Sequence, residues 1–145
     1  MSLTVQYATT AGNLPQRAQL RRWARAALAR EASVTLRIVG QAEGRRLNRD
    51  FRGKDYATNV LTFVYDDDAP PGAPLCGDIV LCAPVVAREA RGRGIAPAAH
   101  YAHLVVHAML HLQGYEHETD AEAAVMEKLE SAIVTRLGYA DPYIV

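Results

Sequence analysis

The sequence predicts an α+β fold: a small mixed four-stranded sheet packed with about five helices, one of them central and buried. Three observations predict it. Strand-like and helix-like segments are interspersed along the chain rather than grouped. Two strand-like runs, Asn59 to Tyr65 and Leu75 to Cys82, flank a turn-rich stretch that suits a hairpin-like connection. The segment from Pro97 to Leu112 is apolar nearly all round, as expected of a helix with neighbours on every side. A length of 145 residues suits one domain, 1–145, with a single sizeable core.

The first strand is expected at Leu3 to Tyr7, where apolar and polar residues alternate. Asn13 and Pro15 mark a helix start, an N-cap residue close to a first-turn proline. Leu20, Trp23, Ala24, Ala27 and Leu28 follow at helical spacing and place the arginines outside. Val34, Leu36 and Ile38 form a second strand that ends near Gly40. Ala42 to Phe51 reads as a short helix, weakened by Gly44. Asn59 to Tyr65 is continuously β-rich and reads as a strand buried on both faces. Asp66 to Gly72 is a loop; its three aspartates lack the spaced ligands of a calcium loop. Leu75 to Cys82 is a strand in which Gly77 marks a bulge or a close backbone approach, with Asp78 beside it. Pro84 opens a helix through Arg91, closed by Gly92 and Gly94, and Pro97 opens the buried one. Thr119-Asp120-Ala121-Glu122 fits a capping box. Val125, Leu129, Ile133 and Leu137 then give an amphipathic last helix, stopped at Gly138.

Half the residues are hydrophobic and 22% are charged, the balance of a soluble globular protein. No apolar run reaches membrane-spanning length and Ser2-Leu3-Thr4-Val5 does not resemble a signal peptide, so a cytoplasmic location is expected. Cys76 and Cys82 fall in one strand, where six residues separate their Cα atoms by about 20 Å, too far for a disulfide. A net charge of zero argues against a protein that coats nucleic acid. The charge is nevertheless sorted. Arg45, Arg46, Arg49, Arg52 and Lys54 stand against Asp50, and Arg17, Arg21, Arg22, Arg25 and Arg30 precede the first acid. The segment from Glu116 to Glu130 is acidic, with Lys128 its only basic residue. A basic wall facing an acidic one suits a locally held anion, whereas arginine-rich helices are often only solvated faces.

All five histidines lie between His100 and His117. His107 and His111, four apart on a helix, share one face. Gly114 lets the helix end in a left-handed residue, and the chain can fold back to bring His117 to the same point. Three neutral imidazoles around one cation, with a fourth position for water, is the plan of a catalytic zinc site. Such an ion lowers the pKa of bound water towards 7, and the resulting hydroxide attacks a phosphodiester or a carbonyl. Imidazole also accepts nickel and copper. The spacing His-x-x-x-His-x-x-Gly-x-x-His is shared with the metzincin proteases, in which a Glu general base follows the first histidine. Here that position is Ala108, which moves no proton, and this disfavours peptide hydrolysis of that kind. A base must come from elsewhere, Glu116 or the substrate itself. His103, one turn before His107, fits a ligand's partner, an alternative ligand or, most commonly, a bonded core residue. The guanidinium of Arg52 offers a fork of donors matched to phosphate, and Arg49 and Lys54 add charge for substrate binding.

Several of these motifs together resemble the YbeY endoribonucleases. The resemblance runs from about Leu47 to the C-terminus. It rests on residues 47–55, residues 58–63, Gly77-Asp78-Ile79, the His107 to His117 stretch, and residues 137–143. It implies one zinc ion held by His107, His111 and His117, with a functional arginine at Arg52. It also implies cleavage of single-stranded RNA, maturation of the 16S ribosomal RNA 3′ end, and a part in ribosome quality control. The partners implied are single-stranded and ribosomal RNA, with ribosomal proteins or a GTPase assembly factor as candidates, and no membrane. Two positions depart from the family's usual pattern: Ala108 stands where Gly is usual and Glu116 where Asp is usual. Neither removes a ligand. Tyr65 lies near a place where the family often has proline. The catalytic set expected is therefore Arg52, His107, His111 and His117. Two rivals are a zinc hydrolase of another substrate class, which Ala108 disfavours, and a ribosome-associated assembly factor with non-catalytic zinc. Structural zinc usually has four protein ligands, and three are visible.

Overall fold

The computed structural model describes residues 1–65 and 70–144. The three aspartates of the 66–72 loop lie outside the described residues. Among those described, the chain forms β1 (Ser2–Ala8), α1 (Arg17–Ala26), β2 (Ala32–Val39), α2 (Gln41–Arg52), β3 (Val60–Tyr65), β4 (Leu75–Cys82), α3 (Ala83–Arg93), α4 (Pro97–Leu112) and α5 (Asp120–Arg136). The strands make one sheet in the order β1-β2-β4-β3. β1 and β2 pair in parallel, as do β2 and β4, while β3 runs antiparallel to β4. This is the α+β fold with a four-stranded mixed sheet that the sequence pattern predicts.

Strand alternation sorts the core into two layers. Val34, Leu36, Ile38, Ile79 and Leu81 join α1, α4 and α5 in the larger one. Val39, Val80 and Cys82 face the other way, where Leu47 of α2 packs against them. α4 is the centre of the larger layer: Ala102, Val105, Val106, Ala108 and Met109 have no exposed surface. Its C-terminal end is held by Gln113, which donates to the carbonyls of Ala27 and Met109 and accepts from the Ala29 amide.

Several elements differ from the sequence reading. α1 begins at Arg17, not near Asn13; Asn13 adopts a left-handed backbone at φ 59°, which turns the chain before the helix. Gln16 and Gln19 form the capping box there. Leu28 lies past the helix end. β3 is an edge strand, so it is not buried on both faces: Leu61 is buried, but Val64 and Tyr65 are exposed. α3 continues through Gly92 and ends at Gly94. On α5 the apolar face is Met126, Ile133 and Val134, while Val125 is exposed. The capping box of Thr119 and Glu122 forms as expected. Cys76 and Cys82 share β4 and are both free. Among the described residues, no helix is long and apolar enough to cross a membrane.

Two glycines exist for close approach. A Cβ on Gly44 would lie 2.8 Å from Cys82 Sγ, so the glycine that weakens α2 also lets it sit on the sheet. A Cβ on Gly77 would lie 2.8 Å from the Phe63 carbonyl oxygen and 2.9 Å from Leu112 Cδ2. The ladder between β3 and β4 runs through Gly77 without a bulge, so close approach is the reason for that glycine. Asp78, its neighbour, accepts a hydrogen bond from the Tyr65 hydroxyl. Gly77→Ala is expected to push the end of α4 off the sheet and to lower stability by about 2 kcal/mol. Chemical denaturation measures this, and an unchanged midpoint contradicts the packing described.

Candidate functional site

The end of α4 is built to aim histidines. α4 stops at Gln113, and Gly114 follows with φ 101°. The Tyr115 amide donates to the Leu110 carbonyl and the Gly114 amide to the His111 carbonyl, a Schellman closure that reverses the chain. That reversal brings the Tyr115 carbonyl to 3.0 Å from His111 Nδ1 and carries His117 back over the helix. The ring centroids of His107 and His117 are 5.3 Å apart, those of His111 and His117 are 5.9 Å apart, and those of His107 and His111 are 6.5 Å apart.

A second partner orients His107. Its Nδ1 lies 2.7 Å from Glu130 Oε1 of α5. The same oxygen is 3.2 Å from His103 Nε2, and the Tyr143 hydroxyl donates to Oε2 at 2.6 Å. The Glu130 side chain is 1% exposed. Burial alone would raise its pKa, but hydrogen bonds from His103, His107 and Tyr143 outweigh it and hold the carboxyl down at about 2. Burial, with the neighbouring Glu130 carboxylate, drives the Tyr143 hydroxyl the other way, above its ordinary value. An ionised carboxylate and a backbone carbonyl only accept, so the Nδ1 atoms of His107 and His111 carry the protons. Both Nε2 lone pairs are left for a ligand.

The two other histidines of the α4 stripe are engaged elsewhere. His103 meets Glu130 and the Tyr143 hydroxyl, so it is a bonded partner of the site. His100 is buried and its Nε2 lies 2.8 Å from Glu89, which also accepts from Asn59. Burial lowers the pKa of His100, against the pull of Glu89.

The histidines line an open cleft of about 570 Å³. Its other wall is the edge strand, residues 58–63, with Phe51 and Arg52 from the end of α2; Glu116 and Glu118 close the acidic side. α2 ends at Gly53, left-handed at φ 71°. The loop after it is tied down by the buried Asn48, which donates to the Tyr56 carbonyl at 2.6 Å, and by the Arg45–Asp55 pair. Those ties fix where Arg52 and Phe51 sit. Arg49 and Lys54 stand outside the cleft lining, and Arg49 is paired with Asp50. Four of the arginines of α1 and the loop after it act within the fold: Arg17 stacks over Tyr7, and Arg21, Arg22 and Arg30 donate to backbone carbonyls.

The donor set suits a zinc ion in kind and tautomer: three imidazoles, two of them with Nε2 free and Nδ1 committed to an acceptor. Spacing is a stricter criterion. Zinc–nitrogen bonds of 2.0–2.1 Å at tetrahedral angles place ring centroids about 5 Å apart. His107 and His117 meet that distance, while the two pairs with His111 are wider. Consistently, among the described residues no three His, Cys, Asp or Glu side chains already stand as a metal ion's ligands.

The family model of Endoribonuclease YbeY matches residues 6–138. The chain belongs to the YbeY family. Its resemblance to that family therefore covers almost the whole length, including the first strand and helix, and not only the part from Leu47. Among its relatives, endoribonuclease YbeY of Nitrosomonas europaea is 58% identical over 143 residues, covering 99% of this chain and 85% of that one. Endoribonuclease YbeY of Nitrosomonas eutropha is 57% identical, covering 99% of both. The solution structure of a Thermotoga maritima protein shares the fold, with a TM-score of 0.55 at 23% identity over 99% of each chain. The YbeY positions carried over by resemblance, Arg52, His107, His111 and His117, all line the one cleft described above.

Sequence reasoning missed Glu130 and Tyr143. Glu130 was legible in principle: it stands four residues after Met126 and three before Ile133, a charge on the apolar face of α5. Glu130→Ala strands two or three polar partners in a buried place and is expected to cost about 3 kcal/mol of stability. Denaturation followed by far-UV circular dichroism measures it; a loss under about 0.5 kcal/mol would show that the carboxylate holds nothing in place.

Proposed function

We propose that the protein is a zinc-dependent, single-strand-specific endoribonuclease that acts in maturation of the 16S ribosomal RNA 3′ end and in ribosome quality control, in the cytoplasm. The observation that carries the proposal is the cleft itself, which three histidines and Arg52 line together. His107, His111 and His117 would hold one zinc ion. Bound there with three protein ligands, zinc would supply a Lewis acid for a phosphate oxygen or for a water molecule.

The chain's own groups do the rest. Arg52 binds the scissile phosphate through two parallel N–H donors and orients it towards the histidines. Glu130 and the Tyr115 carbonyl hold the Nδ1 protons of His107 and His111, which keeps both Nε2 atoms aimed into the cleft. Glu116, which lines the same cleft, or the substrate itself would take the proton from the attacking group. The edge strand bounds the other side of this open cleft. Single-stranded and ribosomal RNA are the substrates, and ribosomal proteins or a GTPase assembly factor the partners, in this reading.

Separate His111→Ala and Arg52→Ala variants test it on a single-stranded RNA substrate. The first is expected to abolish metal-dependent cleavage. The second is expected to lower it about 100-fold through loss of a charge-assisted contact to phosphate. Full activity in both would refute the mechanism. Intact binding of RNA with no cleavage by the wild-type protein, metal loaded, would favour an assembly factor instead.

A further inference from the structure

Phe51 contributes little to the core. It is the last apolar residue of α2, yet 65% of it is exposed. Its neighbour inward is Phe63 of the edge strand, at 5.2 Å between ring centroids and 75° between planes. An edge-to-face contact of that kind fixes the ring's tilt while most of the Phe51 ring stays open to solvent. Both rings line the cleft that holds the histidines, and Arg52 is the next residue along. The ties that fix Arg52, Asn48 to the Tyr56 carbonyl and Arg45 to Asp55, fix Phe51 as well.

We propose that Phe51, buttressed by Phe63, is a stacking platform for one unpaired nucleobase of the RNA strand whose phosphate is held by Arg52. The inference rests on the nuclease reading of the same cleft and deepens it by naming a base subsite. A rigid aromatic face beside a guanidinium is the pairing that single-strand binders use: the cation tracks the backbone and the ring takes a base. Every base has a π-face, so the subsite selects for being unpaired rather than for sequence. A base inside a duplex has both faces covered by its neighbours and cannot use the platform. Preference for single strands is thereby built into the protein by one side chain, with no hydrogen-bond readout. Thr58, Asn59 and Thr62 along the same wall offer polar contacts for the sugar and backbone.

The test is binding of a short RNA to the full chain, followed by fluorescence anisotropy across a salt series. Phe51→Leu keeps an apolar side chain and removes the π-face; Phe51→Trp keeps a π-face. Phe51→Leu is expected to weaken single-stranded binding about tenfold. It should leave the slope of affinity against salt unchanged, because no phosphate contact is lost. Phe51→Trp should bind as the wild type does. Its added indole should be quenched by RNA, since the native Trp23 is buried and stays silent. Arg52→Ala should instead flatten the salt slope by about one ion. Wild-type affinity in Phe51→Leu, or equal weakening for a duplex, overturns the stacking subsite, and the nuclease reading then stands on cleavage by the wild type. A wild-type protein that neither binds nor cuts single-stranded RNA overturns both.

Discussion

The Glu130 carboxylate is the interaction on which the site depends. It is buried, ionised, and shared among His103, His107 and Tyr143. A charge in such a place is costly unless its lone pairs are taken, and here three donors take them. Their geometry sets the tautomer of His107, and the tautomer decides which nitrogen looks into the cleft. His111 reaches the same state by another route, through the carbonyl that the helix-closing turn delivers. Two independent backbone and side-chain devices therefore converge on one outcome, a pair of Nε2 lone pairs on one helix face.

The fold explains how a polar stripe survives on a buried helix. α4 packs apolar residues on the sheet, α1 and α5, and its histidines occupy the remaining strip. Each histidine is given a local acceptor: Glu89 for His100, Glu130 for His103 and His107, the Tyr115 carbonyl for His111. The edge position of β3 is the other half of the design. Because no further strand covers it, the space beside α4 stays open as a cleft. Gly77 lets the end of α4 approach the sheet closely.

Much of this was legible in the residues, for reasons that differ by element. Alternation located β1 and β2, and continuous β-rich runs located β3 and β4. Neither pattern could say that β3 lies at the edge, since an apolar run looks the same in the middle of a sheet and beside a cleft. The histidine spacing announced a shared helix face and a turn, which are local properties. Arg52 stood out by its chemistry, yet Arg49 and Lys54 carried the same signal, and of the three Arg52 lines the cleft. Glu130 and Tyr143 come from 23 and 36 residues beyond His107, and only tertiary packing joins them. On α5, Leu129, Ile133 and Leu137 pack on the core as read, whereas Met126 and not Val125 is buried, and Glu130 sits on that face where an apolar side chain is expected.

The account comes down to a cation held by nitrogen from three side chains and water at the remaining place. Metal analysis and X-ray absorption on protein prepared without chelator and without a nickel tag address it directly. One zinc per chain, with three imidazole nitrogens and one light oxygen neighbour in its shell, is the expected result. Absence of bound metal, or a fourth protein side chain completing the shell, would contradict it.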